Sequence, residues 1–115
     1  MTLNECIAVL GGDFDELKGR MLSEERIKKF LRMFPADQSF CELCNSMESG
    51  NFEAAFRAAH TLKGLCANLG IGNLGIKASE ITEALRGNVN NGADNILPDL
   101  IKEYNAAVDA ISILE

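Results

Sequence analysis

The chain has 115 residues, the length of one domain, and 47% of them are apolar, as in an ordinary folded protein. Its 11 basic and 17 acidic side chains give a net charge of −6, which argues against nucleic acid and anionic membrane surfaces as partners, since both are bound mainly through Lys and Arg. No segment approaches the roughly 18 apolar residues of a membrane span, and the N-terminus lacks the basic start of a signal peptide. We therefore expect no membrane insertion and a cytoplasmic location.

Helical patterns separated by glycine and proline fill the chain, and no segment alternates in the manner of a strand. A capping box at residues 2–5 opens a first short helix, which a Gly-Gly pair closes. Asp13 caps a second short helix that extends to about residue 21. Ser23 precedes a third helix, whose apolar stripe includes Phe30 and which Pro35 ends.

Four longer amphipathic helices follow, separated by short breaks that contain glycine, at about residues 39–49, 52–69, 74–85 and 96–114. We interpret glycines 70 and 72 as one such break and residues 88–94 as a polar loop. Short loops between long helices favour antiparallel neighbours, each burying one apolar face.

These patterns predict an all-α fold with two parts. Residues 23–115 would form an antiparallel up-down-up-down four-helix bundle. Residues 1–22 would be an N-terminal helical extension, with its short helices packed on one end of the bundle.

The four cysteines include one CxxC pair, Cys41 and Cys44. A redox CxxC usually follows a strand and opens a helix, whereas this pair falls inside a helical pattern. A zinc site would need two further ligands, which only Cys6, Cys66 or His60 offer. We interpret the cysteines as small apolar side chains of helix interiors, with both members of the pair largely on the core side.

The chain has a single histidine, which excludes a zinc site with two or three histidines from one chain. HExxH helices, GxxxxGK[ST] loops and GxGxxG loops are all absent from the sequence. We therefore expect no metal and no other cofactor.

His60 and its neighbours form the one group of residues that indicates a reaction. At about 100° per residue, His60 falls roughly 120° from the centre of its helix's apolar stripe, so we expect it to be partly exposed. Lys63 and Gly64 follow at i+3 and i+4, on the same surface. Glycine inside a helix costs about 1 kcal/mol relative to alanine, which indicates that something approaches closely there. A ring nitrogen, a cation and a cleared surface together suit a bulky anion such as a phosphoryl group.

The segment HTLKG, followed by ANLG, resembles the signature of histidine-containing phosphotransfer (HPt) domains of multistep phosphorelays. That signature is a histidine, two residues, Lys-Gly, and a second glycine ten residues after the histidine; here these are His60, Lys63, Gly64 and Gly70. The likeness extends through EALR at residues 83–86 and covers roughly the last 90 residues.

The resemblance implies that His60 accepts a phosphoryl group on a ring nitrogen from a receiver-domain aspartate and passes it to another receiver. Lys63 would help neutralise the phosphoryl oxygens, and Gly64 would leave room for the group and for the partner. Mg²⁺ and the catalytic acid would belong to the receiver. Since the chain has no ATP-binding box, it resembles the phosphotransfer module and not the kinase. The implied partners are receiver domains of response regulators or hybrid sensor kinases.

Five residues near His60 are candidates for the partner-binding surface: Phe56, Arg57, Ala67, Thr82 and Arg86. Phe56 equally suits the core. Thr82 aligns with the polar partner of the histidine that family members often place on the next helix. We expect the face around His60 to be locally neutral or basic despite the acidic net charge.

Two other functions stay open at this point. The first is a helical protein-protein interaction module that has lost phosphotransfer, although such a scaffold has no need of Gly64. The second is a thiol module, which requires the sulfurs of Cys41 and Cys44 to be exposed and close together.

Overall fold

The computed structural model describes all 115 residues, and every regular element in it is a helix, which confirms the all-α class. The elements are α1 (Leu3–Leu10), α2 (Phe14–Met21), α3 (Glu24–Met33), a 3₁₀ turn (Phe34–Ala36), α4 (Ser39–Ser49), α5 (Phe52–Leu69), α6 (Gly72–Ala84) and α7 (Ala93–Ser112). None of these helices combines the length and hydropathy needed to cross a bilayer.

Side-chain caps explain where four of the helices begin. Thr2, Asp13, Ser23 and Asn51 each accept a hydrogen bond from the backbone N–H three residues further on. At Thr2 the capping box is complete, because the backbone N–H of Thr2 also donates to the Glu5 carboxylate. These interactions are local, which is why the sequence predicts the helix starts well.

The last four helices form the predicted antiparallel bundle. Helix α4 packs on α5, α5 on α6, and α6 on α7. The rings of Phe40 and Tyr104 stack with centroids 3.7 Å apart and link α4 to α7. Short connections reverse the chain direction at each step, so consecutive helices run antiparallel.

Helices α1 to α3 cover the end of the bundle that holds the α5–α6 connection. Helix α1 packs on α6 and α7, α2 on α1 and α3, and α3 on α5 and α7. The side chain of Leu17 in α2 lies against Gly70 at the end of α5. The ammonium group of Met1 donates to the carbonyl of Ile113 at 3.1 Å, so the two chain termini meet at this end.

Two element boundaries differ from the prediction. Gly72 is the first residue of α6 and not part of a break, because α6 begins directly after Ile71. Only glycine fits there, since a Cβ at Gly72 would collide with the carbonyl oxygen of Gly11 in the α1–α2 connection. Helix α7 begins at Ala93, directly after Gly92, so the loop before it is shorter than predicted.

One hydrophobic cluster of 28 buried residues forms the core, and residues of α1 and α2 belong to it. Ile7 and Leu17 are 1% and 0% exposed. Phe30 departs from its predicted place in the stripe of α3, because its side chain is 39% exposed.

Candidate functional site

His60 lies near the middle of α5 and is exposed to solvent. The core face of the helix next to it is occupied by Ala58, Ala59 and Leu62, which are buried. The His60 ring lies 6.2 Å from the Phe56 ring, centroid to centroid, and the two planes are 13° apart. The imidazole therefore lies beside an aromatic ring, on an exposed residue.

Lys63 follows His60 by almost one turn and is half-buried. It takes part in none of the salt bridges of the chain, so no carboxylate lies within 4.0 Å of its ammonium group. Its charge is available to an anion that approaches from outside.

Gly64 is exposed, and a Cβ placed on it would meet no atom within 4 Å. Its backbone has no positive φ, so an L-residue with a side chain would fit the helix. Neither packing nor backbone geometry therefore requires glycine at this position. Alanine at this position would stabilise the helix by about 1 kcal/mol. The fold therefore offers no reason for glycine beside His60.

The register of α5 and α6 follows from contacts at both ends. Near one end, the guanidinium carbon of Arg86 lies 5.4 Å from the centroid of the Phe56 ring. Near the other, a Cβ on Gly75 would lie 3.3 Å from the Cβ of Cys66. Because the helices run antiparallel, this register brings residue 82 of α6 to the height of His60.

Thr82 lies at that height but on the wrong face. It is 0% exposed, and its hydroxyl donates to the carbonyl of Ala78 at 2.6 Å. The prediction that Thr82 belongs to a partner-binding surface is therefore wrong, because the side chain points into the core and its donor is used within α6.

The other partner-binding candidates are accessible. Arg57, Ala67 and Arg86 are exposed, and Phe56 is half-buried. Arg57 pairs with Glu53 on α5, and Arg86, just after α6, pairs with Glu83, with N–O distances of 2.8 and 2.7 Å. Their part in binding stays a prediction.

Glu83 is a neighbour of the site that the sequence analysis did not single out. It accepts two hydrogen bonds from Arg86, and these bonds, together with the charges of Arg86 and Lys63, lower the pKa of its carboxyl group. The signal in the sequence was the i, i+3 spacing of Glu and Arg within EALR. Two of the cations near His60 thus act on one carboxylate.

An apolar groove of about 370 Å³ borders α5 on the side of α3. Phe30 and Met33 from α3 line it together with Leu65 from α5. Met33 is 56% exposed, which is unusual for a large apolar side chain that packs near a core. The sequence pattern missed this surface because it placed Phe30 in the buried stripe.

The CxxC pair is only partly buried. Cys44 is half-buried, but Cys41 is exposed, so the expectation that both lie on the core side is wrong for Cys41. Burial raises the pKa of the Cys44 thiol and raises that of Cys66 to about 12, the opposite of what a reactive thiolate needs. No group of three or more His, Cys, Asp or Glu side chains is placed to hold a metal ion.

Comparison with known protein families identifies the family of this chain. The family model of the Hpt domain matches residues 25–112, and the chain therefore belongs to the Hpt domain family. Comparisons with curated proteins and with solved structures gave no match. Hpt domains serve histidine phosphotransfer in phosphorelays, interact with receiver domains and have no kinase activity of their own. The resemblance inferred from HTLKG is confirmed.

Proposed function

We propose that this chain is a phosphorelay intermediate that accepts a phosphoryl group on His60 from a receiver-domain aspartate and passes it to another receiver. One observation carries the proposal: an exposed imidazole stands beside a glycine that the fold does not require. The partners would be receiver domains of response regulators or hybrid sensor kinases.

The chemistry needs one nucleophile from this chain. Neutral imidazole has a lone pair on one ring nitrogen, and that nitrogen attacks the phosphorus of the receiver's aspartyl phosphate. The P–N bond forms, the P–O bond to the aspartate breaks, and the carboxylate leaves with the electron pair. The proton on the other ring nitrogen stays in place. The onward step reverses these events on a second receiver.

Lys63 and Gly64 would assist in different ways. The Lys63 ammonium group has no carboxylate partner and would approach the phosphoryl oxygens, stabilising their charge during transfer. The missing side chain at Gly64 would let the receiver backbone approach α5 closely enough for in-line transfer. Mg²⁺ and the catalytic acid belong to the receiver in this proposal.

The test is phosphoryl transfer from a phosphorylated receiver to the purified chain. We expect acid-labile, base-stable label on His60 and none on His60→Gln. Helicity and melting temperature should be nearly unchanged in the variant, since the residue is at the surface. Because His60 is the only histidine, any acid-labile label on His60→Gln would contradict the assignment.

Lys63→Ala should slow transfer and leave the fold intact. Lys102→Ala is the matched control, since Lys102 is an exposed lysine of α7 that also has no carboxylate partner. Equal transfer rates in both variants would remove Lys63 from the mechanism. If several receivers transfer nothing to the folded wild-type chain, the interaction module without phosphotransfer becomes the better description.

A further inference from the structure

Glu83 occupies an unusual position for a surface carboxylate. Its two oxygens accept hydrogen bonds from Nε and Nη2 of Arg86 at 3.0 and 2.7 Å. The Arg86 guanidinium lies over the Phe56 ring, which is the aromatic neighbour of His60. The carboxylate therefore holds a cation that lies just after α6 and reaches the surroundings of the phosphoacceptor.

The register of the two helices places Glu83 between two cations. Arg86 is opposite Phe56, and Ser79 lines the same groove as Lys63. Residue 83 lies between these two levels, near the height of His60. The charge of Lys63 also contributes to the lowered pKa of the Glu83 carboxyl group, which agrees with this placement.

The other carboxylates nearby do not share this arrangement. Glu80 is on the same helix, almost one turn earlier, and pairs with Lys77 at 3.2 Å. Glu53 pairs with Arg57 on the first turns of α5. Neither pair includes a cation that contacts the aromatic neighbour of His60.

We infer that Glu83 is a resident anion of the unphosphorylated site, which holds Arg86 and competes with the phosphoryl group of phosphorylated His60 for this cation and for the charge of Lys63. The inference rests on the proposed function, because it assumes that His60 carries the group. A phosphoryl group at pH 7 has close to two negative charges, so it attracts both cations and is repelled by the carboxylate.

The consequence concerns the direction of the relay. With Glu83 in place, the phosphorylated form of the chain is less favourable, and its group passes on to the next receiver more readily. Without it, Arg86 is free to stabilise the phosphorylated form together with Lys63. Glu83 would thus keep the phosphorylated chain from accumulating.

The experiment measures the equilibrium between phosphorylated receiver and phosphorylated chain for the wild type, Glu83→Gln and Glu80→Gln. We expect Glu83→Gln to shift the equilibrium toward phosphorylated His60 by about threefold, a modest factor because the site is exposed. The shift should shrink at high ionic strength. Glu80→Gln removes the same charge from the same helix and should remain within error of the wild type.

A second comparison separates competition for Arg86 from simple removal of a charge. If Glu83 acts by holding Arg86, its substitution should have a smaller effect in an Arg86→Ala background than in the wild type. Circular dichroism of each variant establishes that the helices are intact.

The two proposals fail in different ways. Label on His60 with equal equilibria in the wild type and Glu83→Gln would overturn the role of Glu83 and leave the proposed function standing. A shift toward the phosphorylated receiver in Glu83→Gln would also overturn it. No label on His60 in any variant would overturn both.

Discussion

Gly64 and Gly50 are both open to solvent, but they differ in backbone conformation. A Cβ would meet no atom within 4 Å at either position. Gly50 ends α4 with φ of 74°, in the left-handed region, whereas Gly64 has ordinary helical geometry. The backbone thus requires glycine at residue 50, whereas nothing within the fold requires it at residue 64.

This difference predicts opposite effects of one substitution. Gly64→Ala should raise the free energy of unfolding by about 1 kcal/mol, because alanine favours a helix interior. Gly50→Ala should lower it by about 1 kcal/mol, because a Cβ is strained in the left-handed region. Urea denaturation measures both, and a destabilised Gly64→Ala would show that the fold itself uses this glycine.

Thr82 and Glu83 show how finely the face of a helix matters. Successive residues of a helix are separated by about 100° around its axis, so one step moves a side chain from the core to the surface. Thr82 is buried and Glu83 is exposed, although both lie near the height of His60. Alignment to a family pattern indicates which residues of α6 lie level with His60. The packing of α6 on α5 decides which of them point to the core and which to solvent.

At the scale of elements, the N-terminal helices share the core of the bundle. The family match begins at residue 25, so α1 and α2 lie outside it. This boundary agrees with the predicted extension of residues 1–22. Their buried side chains nevertheless belong to the same hydrophobic cluster as the bundle. We propose that this extension is a structural part of the domain.

A substitution in α2 tests that proposal. Leu17→Ala should lower the free energy of unfolding of the whole chain by about 2–5 kcal/mol, because the side chain is 0% exposed and packs on Gly70. Gly19→Ala is the control on the same helix, since a Cβ there meets no atom within 4 Å. Urea denaturation followed by circular dichroism should show one transition in each case. A Leu17→Ala protein as stable as the wild type would mean that α2 is only loosely attached.

At the scale of the whole molecule, α1 is attached to the bundle and carries a surface carboxyl group whose pKa is shifted. Hydrogen bonds from the backbone and side chain of Thr2 lower the pKa of Glu5 below its ordinary value of 4.5. A carboxyl group with a lowered pKa in the folded state stabilises the fold above its unfolded pKa. That contribution disappears as the pH falls through the lower, folded pKa.

The difference in melting temperature between the wild type and Glu5→Gln should therefore be largest near neutral pH and vanish in acid. Thermal unfolding followed between about pH 3 and pH 7 measures it. Thr2→Ala keeps the backbone N–H that donates to the Glu5 carboxylate and loses the hydroxyl that accepts from the backbone N–H of Glu5. It should therefore lower the melting temperature across the whole pH range. A difference that grows as the pH falls would contradict the role of the capping box.

The sequence by itself determined the helices and pointed to His60 as the proposed phosphoacceptor. Caps at Thr2, Asp13, Ser23 and Asn51, and apolar stripes with a helical period, act within one or two turns, so they are legible without the fold. The group of His60, Lys63 and Gly64 is equally local, since the three residues lie within little more than one turn of α5.

Only the tertiary structure decided what surrounds that turn. It buried Thr82, exposed Phe30 and Cys41, and brought Arg86 over the Phe56 ring. Each outcome depends on how one helix is rotated and placed against another, and this packing is set by side chains far apart in the chain. Periodicity along one helix shows which face is apolar, but the neighbouring helix determines which residues at the edge of that face are covered.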